Sequence, residues 1–440
     1  MASSNVQFVA RPGGRLSGTL RVPGDKSISH RSIMLGSLAE GVTRVSGFLE
    51  GEDSLATLRA FRDMGVQIDG PHDGRVTIHG VGMHGLKPPS APLDLGNSGT
   101  SMRLMCGLLA GQGMDVTLVG DTSLSRRPMK RVTEPLARMG ARIDSAEGGT
   151  APLHINAVDA LDALHYDMPV ASAQVKSCLL LAGMYAQGET CVTEPAPTRD
   201  HTERMLQGFG YKVQREGSRA CLSGGGSLQA CDIDVPADIS SAAFFLVGAS
   251  IAQGSDLLLE HVGMNPTRDG VINILRLMGA DIEVLNARVV GGEPVADLRV
   301  RSAPLKGIRI PQDQVPLAID EFPVLFIAAA CAQGETVLTG AEELRVKESD
   351  RIQVMADGLA ALGVDARPTP DGIVIQGGGA IAGGRVDSHG DHRIAMAFTI
   401  AALRADGDIQ IDDCANVNTS FPRFVELAAA AGCRVALHDA

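Results

Sequence analysis

The sequence contains no tryptophan, and aromatic residues make up only 3% of the chain. Basic residues are also in the minority, with 39 Lys and Arg against 51 Asp and Glu and a formal net charge of −12. A general nucleic-acid-binding protein would show a basic surface and aromatic side chains for base stacking. The composition therefore excludes that class, and an anionic ligand must be bound by local clusters of Lys and Arg.

Paired cysteines with metal-ligand spacing are also missing. The eight cysteines are scattered without a CxxC pair, and a chain of 440 residues needs no disulfides for its stability. We therefore predict free thiols in a reducing compartment and no metal site. The longest apolar runs, at 177–186 and 324–332, are too short to span a bilayer, and residues 1–15 lack the apolar segment of a signal peptide. We expect a soluble cytoplasmic protein.

What the sequence does contain is internal repetition. A helical apolar stretch closed by glycine and followed by a strand-like run recurs six times. A second pattern, an amphipathic helix closed by glycine and followed by an alternating strand, is interleaved with the first, also six times. Glycine just past a helix end is the expected left-handed terminator, and the change of period from 3.6 to 2 marks the following strand. The glycines are, for the first pattern, 41, 113, 188, 254, 334 and 407, and for the second, 65, 140, 210, 279, 363 and 432.

The repeats predict two domains, since single cores stop growing at roughly 250–300 residues. Three units precede the VPAD segment at 235–238 and three follow it, while RVPG at 21–24 precedes the first repeat helix. We expect crossings near 22–25 and 236–242. Residues 25–237 then form an inserted domain with repeats 1–3, and residues 1–22 plus 242–440 form the domain with repeats 4–6.

The first helix of every repeat opens with polar residues, and four of the six openings add Lys or Arg. A helix N-terminus attracts anions through its free N–H groups and the positive end of its dipole. Ordinary N-capping by Ser and Asp would explain any single opening, for example Ser240 and Ser241, but it does not explain the cations. If the repeats are pseudosymmetric, these ends converge on small anionic ligands.

Six segments in order resemble those of the EPSP synthase family of enolpyruvyl transferases: GDKSISHR at 24–31, GNSGT at 96–100, RPM at 127–129, SAQ at 172–174, KESDR at 347–351 and DHR at 391–393. The resemblance covers essentially the whole chain. It implies an α/β (α+β) fold of two pseudosymmetric domains, each with three βαβαββ-type units whose helices pack inside the sheets as an inside-out α/β barrel. It also implies an active site in a cleft that closes on the substrates, no metal, no organic cofactor, and a monomer.

The resemblance implies a reaction as well. The family transfers the enolpyruvyl group of phosphoenolpyruvate to the 5-hydroxyl of shikimate 3-phosphate. The residues that match its shikimate 3-phosphate contacts are Lys26, Ser27, Arg31, Ser172, Ala173, Gln174, Arg199, Asp320 and Lys347. Those that match its phosphoenolpyruvate contacts are Lys26, Gly99, Arg127, Gln174, Arg351 and Arg393.

Asp320, Glu348 and Lys26 match the family's catalytic residues, so the resemblance implies that they catalyse the reaction. The chemistry needs a base for the hydroxyl and an acid for the methylene carbon, and two carboxylates can divide that work. Two structural roles compete with this interpretation. Asp320 could cap the helix that starts at 321–323, and Glu348 could pair at i, i+3 with Arg351. Arg103 could be a structural ion-pair partner.

The chain departs from the family pattern at two positions. Ala173 stands where some members have a second Ser, and Thr419 stands where many have a Lys that binds phosphate. Together with the segments at 199–203, 172–176 and 265–268, this resembles the branch with reduced sensitivity to glyphosate. Gly99 retains the room that an Ala removes in some tolerant members, so we predict intermediate to low sensitivity.

Three alternative functions use related scaffolds. The sister transferase that acts on UDP-N-acetylglucosamine carries a reactive Cys on the loop that corresponds to 120–128, which has none here. A non-catalytic phosphometabolite-binding protein would not require Asp320 and Glu348 beside the arginines. Isomerase or cyclase chemistry on a related repeat scaffold is a more distant alternative.

Overall fold

The computed structural model of the chain describes residues 6–439, and contacts between Cα atoms divide them into two compact units. The inserted unit comprises Gly24–Val235 and Val290–Glu293, and the terminal unit comprises the remaining described residues. The chain thus passes from one unit to the other after Pro23 and after Val235. That the chain forms two independent domains, with the bounds 25–237 and 1–22 plus 242–440, remains a prediction.

Twelve α-helices occur in the described residues, and they alternate between the two predicted patterns. They are α1 (Lys26–Leu38), α2 (Glu52–Asp63), α3 (Gly99–Ala110), α4 (Lys130–Arg138), α5 (Ala173–Gly183), α6 (His201–Gly208), α7 (Ile239–Ile251), α8 (Gly270–Leu277), α9 (Phe322–Cys331), α10 (Arg351–Ala361), α11 (His392–Ala401) and α12 (Phe424–Ala431).

The inserted unit has three four-stranded sheets of identical design, in which the first strand is parallel to the second and the other pairs are antiparallel. In spatial order they are Asp232–Asp234, Val42–Ser46, Arg75–His79, Gln67–His72; Leu93–Asp94, Val116–Val119, Thr150–Asn156, Arg142–Ala146; and His165–Asp167, Glu189–Thr193, Arg219–Ser223, Gln214–Glu216. Two short parallel pairs join Leu161–Asp162 to Ala186–Gln187 and Leu228–Gln229 to Ala39–Glu40. Since the last strand of the unit completes the sheet of its first repeat, the three repeats close into a ring.

The terminal unit repeats this design with one simplification. Its sheets are Ser17–Leu20, Asp256–Gly263, Glu293–Arg301, Asp281–Val290; Gly384–Asp387, Ile409–Asp412, Val6–Arg11, Arg434–Asp439; and the three-stranded Gly334–Leu338, Gly372–Gly377, Asp365–Thr369. In the last sheet an isolated parallel bridge between Arg309 and Val337 takes the place of the edge strand. Val6–Arg11, from the start of the described chain, completes the sheet of the last repeat.

The first helix of each repeat lies inside its unit. All 13 residues of α7 are buried, and α9 and α11 are buried over most of their length against it. In the inserted unit α3 packs closely on α5. A helix that is apolar on every side must be surrounded by protein, as this arrangement provides. The predicted fold, with helices packed inside sheets, is confirmed.

The predicted glycine terminators have the expected conformation. All six glycines of the second pattern and five of the six of the first have positive φ, for example 121° at Gly432. At Gly432 a Cβ would also lie 2.0 Å from the carbonyl oxygen of Arg15, so no other residue fits there. Gly407 is the exception, and it approaches the backbone of Gly383 closely instead.

The prediction that all cysteines are free thiols is wrong for one pair. Cys191 and Cys221 form a disulfide. They lie directly opposite one another on neighbouring antiparallel strands, with their Cα atoms 4.1 Å apart. Their separation of 30 residues in the sequence gives no hint of this pairing, which depends on strand register. The other six cysteines are free.

None of the helices in residues 6–439 combines the length and the apolar character needed to cross a bilayer.

A buried polar chain joins the first three helices of the inserted unit. Nδ1 of His30 on α1 lies 2.8 Å from Oγ1 of Thr57 on α2, which in turn lies 2.5 Å from Oγ of Ser101 on α3. Oγ of Ser101 also lies 2.7 Å from Oγ of Ser98, where the chain of hydrogen bonds ends. Burial, together with the positive charges of Lys26 and Arg31, lowers the pKa of His30 well below its ordinary value of 6.5. His30 is therefore neutral in the folded protein.

This lowered pKa predicts a loss of stability in mild acid. Below about pH 6.5 the unfolded chain takes up a proton that native His30 does not accept, so the free energy of unfolding falls by up to roughly 1.4 kcal/mol per pH unit. We expect the unfolding midpoint of the wild type to drop more steeply between pH 7.5 and 5.5 than that of His30→Gln. His72→Gln, a change at an exposed histidine, is the control and should follow the wild type. Equal slopes for wild type and His30→Gln would contradict the assignment.

Candidate active site

The N-terminus of α1 carries the first cationic residue. The carboxylate of Asp25 accepts a hydrogen bond from the backbone N–H of Ile28 at 2.9 Å and so caps the helix. Lys26, the first helical residue, forms an ion pair with Asp53, whose side chain is only 4% exposed. This pair holds the ammonium group at a helix end that already attracts anions.

Arg31, one turn further along α1, is almost fully buried and is held by three hydrogen bonds. Its guanidinium donates to Oγ1 of Thr202 (2.7 Å), Oγ of Ser177 (2.9 Å) and the carbonyl of Ser27 (2.9 Å). Burial lowers the pKa of Arg31 to about 10, and the nearby charge of Arg199 acts in the same direction. The two positive charges therefore repel each other in the folded protein.

The N-terminus of α3 is built around Gly99. Ser98 caps the helix by accepting from the N–H of Ser101 at 3.1 Å. A Cβ on Gly99 would lie 3.2 Å from Nη1 of Arg103 and 3.2 Å from Nη1 of Arg127. Arg127 is oriented by Asn97, whose side-chain oxygen accepts from Nη2 at 2.7 Å. Gly99 thus leaves space beside two guanidinium groups.

The N-terminus of α5 connects to this group through Gln174. Ser172 caps α5 by accepting from the N–H of Val175 at 3.3 Å. The side chain of Gln174 accepts from Nη1 of Arg103 at 2.6 Å and donates to Oγ1 of Thr100 at 3.1 Å. Together with the His30 chain and the Arg31 contacts, these bonds bring the N-termini of α1, α3 and α5 together. We call this set of residues the inserted-unit cluster: Lys26, Ser27, Arg31, Gly99, Arg103, Arg127, Ser172, Ala173, Gln174 and Arg199.

Lys176 belongs to the SAQVK segment, but its ammonium group is held by two buried carboxylates. It is 1% exposed, and its ammonium lies 2.9 Å from Glu194 and 2.8 Å from Glu203. A buried lysine requires such partners. Lys176 therefore joins α5 to the helix of Glu203 and is not available to a ligand.

In the terminal unit the central residue is Arg351, whose side chain is 1% exposed. Its guanidinium donates from Nε to Asp391 (2.8 Å), from Nη1 to Asp320 (3.2 Å) and from Nη2 to Glu348 (2.6 Å). Burial alone would lower the pKa of Arg351, but the three carboxylates outweigh it and raise the pKa well above the ordinary value. Arg351 remains charged at any working pH and holds Asp320 and Glu348 together.

Two further cations lie beside Asp320. Nζ of Lys347 is 3.7 Å from its carboxylate, and Nη1 of Arg393 donates to its backbone carbonyl at 3.1 Å. Arg393 follows directly after the N-terminus of α11, where Asp391 is the cap. We call Asp320, Lys347, Glu348, Arg351, Asp391 and Arg393 the terminal-unit cluster.

The structure decides three of the competing structural roles. Asp320 does not cap α9, since the N-cap is Glu321 and no side chain caps that helix, so the capping hypothesis is wrong. The pairing of Glu348 with Arg351 at i, i+3 is confirmed. Ser240 and Ser241 are not caps, because Asp238 caps α7 and the hydroxyl of Ser240 donates to Glu321.

Thr419, the residue that replaces a family Lys, is 3% exposed, and its hydroxyl donates to the carbonyl of Asn416 at 2.7 Å. Its hydroxyl group is thus used within its own 3₁₀ turn, Ala415–Thr419. Thr419 offers no group to a phosphate.

Sequence reasoning missed two members of the clusters. The sequence suggests an ion-pair role for Arg103, yet Arg103 binds Gln174 and borders the space at Gly99. The sequence does not identify Asp391 as a site residue, although Asp391 is fully buried and binds both Arg351 and Ser349. The signal for Asp391 is its position at a helix start, two residues before Arg393. No signal in the sequence placed Arg103 beside Gln174.

Comparisons with known proteins agree with this geometry. The profile of the family described as EPSP synthase (3-phosphoshikimate 1-carboxyvinyltransferase) matches residues 10–427. The 3-phosphoshikimate 1-carboxyvinyltransferases of Alkalilimnicola ehrlichii and Methylococcus capsulatus are each 73% identical, over 99% and 98% of this chain and 98% and 99% of their own. The solved EPSP synthase of Acinetobacter baumannii is 59% identical, with a TM-score of 0.89 over 99% of this chain and 100% of that one. The chain therefore belongs to the EPSP synthase family, and it transfers the enolpyruvyl group of phosphoenolpyruvate to the 5-hydroxyl of shikimate 3-phosphate through a tetrahedral intermediate, releasing phosphate.

Proposed function

We propose that the inserted-unit cluster binds most of shikimate 3-phosphate. The support is the convergence of three helix N-termini with Lys26, Arg31 and Arg199, which suits a phosphate dianion. Ser172 and Gln174 contact the phosphate and the ring, and Arg199 replaces the hydroxyl that Ala173 lacks. The full set is Lys26, Ser27, Arg31, Ser172, Ala173, Gln174 and Arg199, with Asp320 and Lys347 from the terminal-unit cluster.

We assign phosphoenolpyruvate to Lys26, Gly99, Arg127, Gln174, Arg351 and Arg393. The space at Gly99 lies beside the guanidinium of Arg127, so a phosphate oxygen there meets a cation and the backbone of a helix start. Arg351 already uses three of its nitrogens on carboxylates. A guanidinium has five N–H groups, two of them on Nη1. Nη1 of Arg351 donates one to Asp320, so its second N–H can donate to a ligand oxygen.

The protons are moved by two carboxylates. Asp320 accepts the proton of the 5-hydroxyl as that oxygen attacks C2 of phosphoenolpyruvate, and Glu348, assisted by Lys26, takes part in delivering a proton to the methylene carbon. The product of this addition is a ketal phosphate with a methyl group. Elimination then removes phosphate from C2 and a proton from the methyl group, which regenerates the double bond as an enol ether.

The observation that carries this assignment is that Arg351 binds Asp320 and Glu348 through the two ends of one guanidinium. A shared buried cation orients both carboxylates. Holding reactants and catalytic groups in the reactive geometry can lower an activation barrier by up to roughly 7–11 kcal/mol.

Asp320→Asn tests the hydroxyl base. The amide keeps the size of the side chain and an acceptor for Arg351 but cannot take a proton. We expect kcat for phosphate release to fall by about 10²–10⁴-fold with a small change in the KM of shikimate 3-phosphate. Asp313→Asn, at an exposed carboxylate on the same stretch of chain, is the matched control. A wild-type kcat in Asp320→Asn would refute its role as base.

Glu348→Gln tests proton transfer at carbon through hydrogen exchange. In heavy water the methyl group of the intermediate carries solvent deuterium, which returns to the methylene carbon of substrate and product. We expect Glu348→Gln to lower the incorporation of deuterium in step with turnover, by about 10²-fold or more. Undiminished deuterium incorporation, measured by mass spectrometry of residual phosphoenolpyruvate, would rule this role out.

Gly99→Ala tests the phosphoenolpyruvate site. The added methyl group meets the guanidinium groups of Arg103 and Arg127 at 3.2 Å, so both side chains must shift. We expect the KM of phosphoenolpyruvate to rise roughly tenfold, about 1.4 kcal/mol, while the KM of shikimate 3-phosphate stays within a factor of about two. Gly208→Ala on α6, where a Cβ meets nothing within 4 Å, is the control. An equal rise in both KM values would show a general disturbance of the fold.

We further propose a monomer that works in the cytoplasm and has intermediate to low sensitivity to glyphosate. The buried hydroxyl of Thr419 supports reduced sensitivity, because no lysine ammonium is present there for an anionic inhibitor. Sedimentation equilibrium tests the monomer. Inhibition by glyphosate at varied phosphoenolpyruvate, with Thr419→Lys for comparison, tests the sensitivity.

A further inference from the structure

A row of metal-ligating side chains crosses the sheet of the third repeat. On the parallel pair His165 stands directly opposite Cys191, and on the adjoining antiparallel pair Cys191 stands directly opposite Cys221. Glu189 is two residues before Cys191 on the same strand, so both side chains lie on one face of the sheet. Strand register thus places an imidazole, two sulfurs and a carboxylate side by side.

This face is the outer one. The alternate residues of the central strand, Thr190 and Val192, are fully buried, and Val192 belongs to the core of the inserted unit. Cys191 points the other way and is covered by its neighbours in the row, while His165 and Glu189 are exposed. The row is therefore open to ions from solvent, and none of its four residues is among those assigned to catalysis.

The donor atoms are already close together. One ligand atom each from His165, Glu189 and Cys191 lies within 4.8 Å of the others, and Sγ of Cys191 is 3.6 Å from Oε2 of Glu189. The donors of a tetrahedral zinc ion lie roughly 3.3–3.8 Å apart at its usual bond lengths. His165 and Glu189 need to move by only about an ångström, and as exposed side chains they are the ones able to do so.

We propose that His165, Glu189, Cys191 and Cys221 form a site for a thiophilic divalent cation, with Zn²⁺ the best match, that exists when the Cys191–Cys221 disulfide is reduced. Two thiolates, an imidazole and a carboxylate are the donor types and the number that tetrahedral zinc takes. The disulfide form, present in the structure, offers no thiolate and cannot bind the ion. The same two sulfurs thus join the strands either covalently or through a metal.

The chemistry balances with a small dithiol as reductant. Two electrons and two protons convert the disulfide to two thiols, and the dithiol becomes a cyclic disulfide. Binding of the ion then releases the two thiol protons, since the ligands are thiolates. Arg219 is the opposing feature, because its guanidinium approaches Nδ1 of His165 at 3.4 Å. It competes with a metal ion for that nitrogen.

The test uses the full chain reduced with dithiothreitol, freed of the reagent without air, and titrated with Co²⁺ as a spectroscopic probe for Zn²⁺. We expect one ion per chain with the thiolate-to-cobalt absorption and visible bands of a tetrahedral site, displaced by Zn²⁺ and absent from the oxidised protein. Zinc should also raise the unfolding midpoint of the reduced protein and leave that of the oxidised protein unchanged.

Variants locate the site. Cys221→Ser should abolish the thiolate absorption, and His165→Ala should weaken binding at least tenfold. His72→Ala, at an exposed histidine on another sheet of the same unit, should bind like the wild type. None of them should change the rate of enolpyruvyl transfer. Absence of the thiolate absorption in the reduced wild type, or its persistence in Cys221→Ser, would overturn the proposal. Because binding is read without turnover, this outcome is independent of the catalytic assignments.

Discussion

A helix buried along its whole length can expose unpaired backbone groups only at its ends, and much of this structure follows from that constraint. In α7 all 13 residues are buried, so its first N–H groups need partners that the apolar core cannot supply. In five of the six inner helices an Asp or Ser side chain accepts from one of those groups. The remaining N–H groups form an anion-attracting surface at the helix starts. The fold thus places a polar, anion-attracting helix start at the same position in every repeat.

The two units use these positions in different ways. In the inserted unit Lys26 is paired with one carboxylate, that of Asp53, whereas hydroxyl groups bind Arg31, an amide binds Arg103, and His30 is uncharged. In the terminal unit the positive charge of Arg351 is balanced by three carboxylates, which Arg351 holds in fixed positions. The proposed roles, phosphate binding for the first cluster and proton transfer for the second, have such opposite electrostatic needs. One repeated scaffold meets both through a few side chains at the helix starts.

The sequence predicted those parts of the fold that depend on local chemistry. Gly65 and Gly432 end their helices because only glycine adopts positive φ without strain, and that requirement is visible residue by residue. The same holds for Ser98 and Ser172, which cap helices through their own hydroxyls. Parts that depend on register or on distant contacts were missed. Cys191 faces Cys221 only because two strands pair without an offset, and no property of either cysteine encodes that alignment.

The missed residues of the candidate site share a physical origin. Arg103 and Asp391 act on other side chains: Arg103 orients Gln174, and Asp391 balances the charge of Arg351. Removing Asp391 would leave a buried guanidinium short of one carboxylate, a loss that typically costs a few kcal/mol. A sequence motif identifies the residues that contact a substrate, because the chemistry of the substrate dictates which residue types can contact it. A supporting residue has only to fit the residue that it supports, so its identity follows from three-dimensional packing. A site inferred from motifs alone therefore contains the reacting groups but lacks the residues that hold them in place.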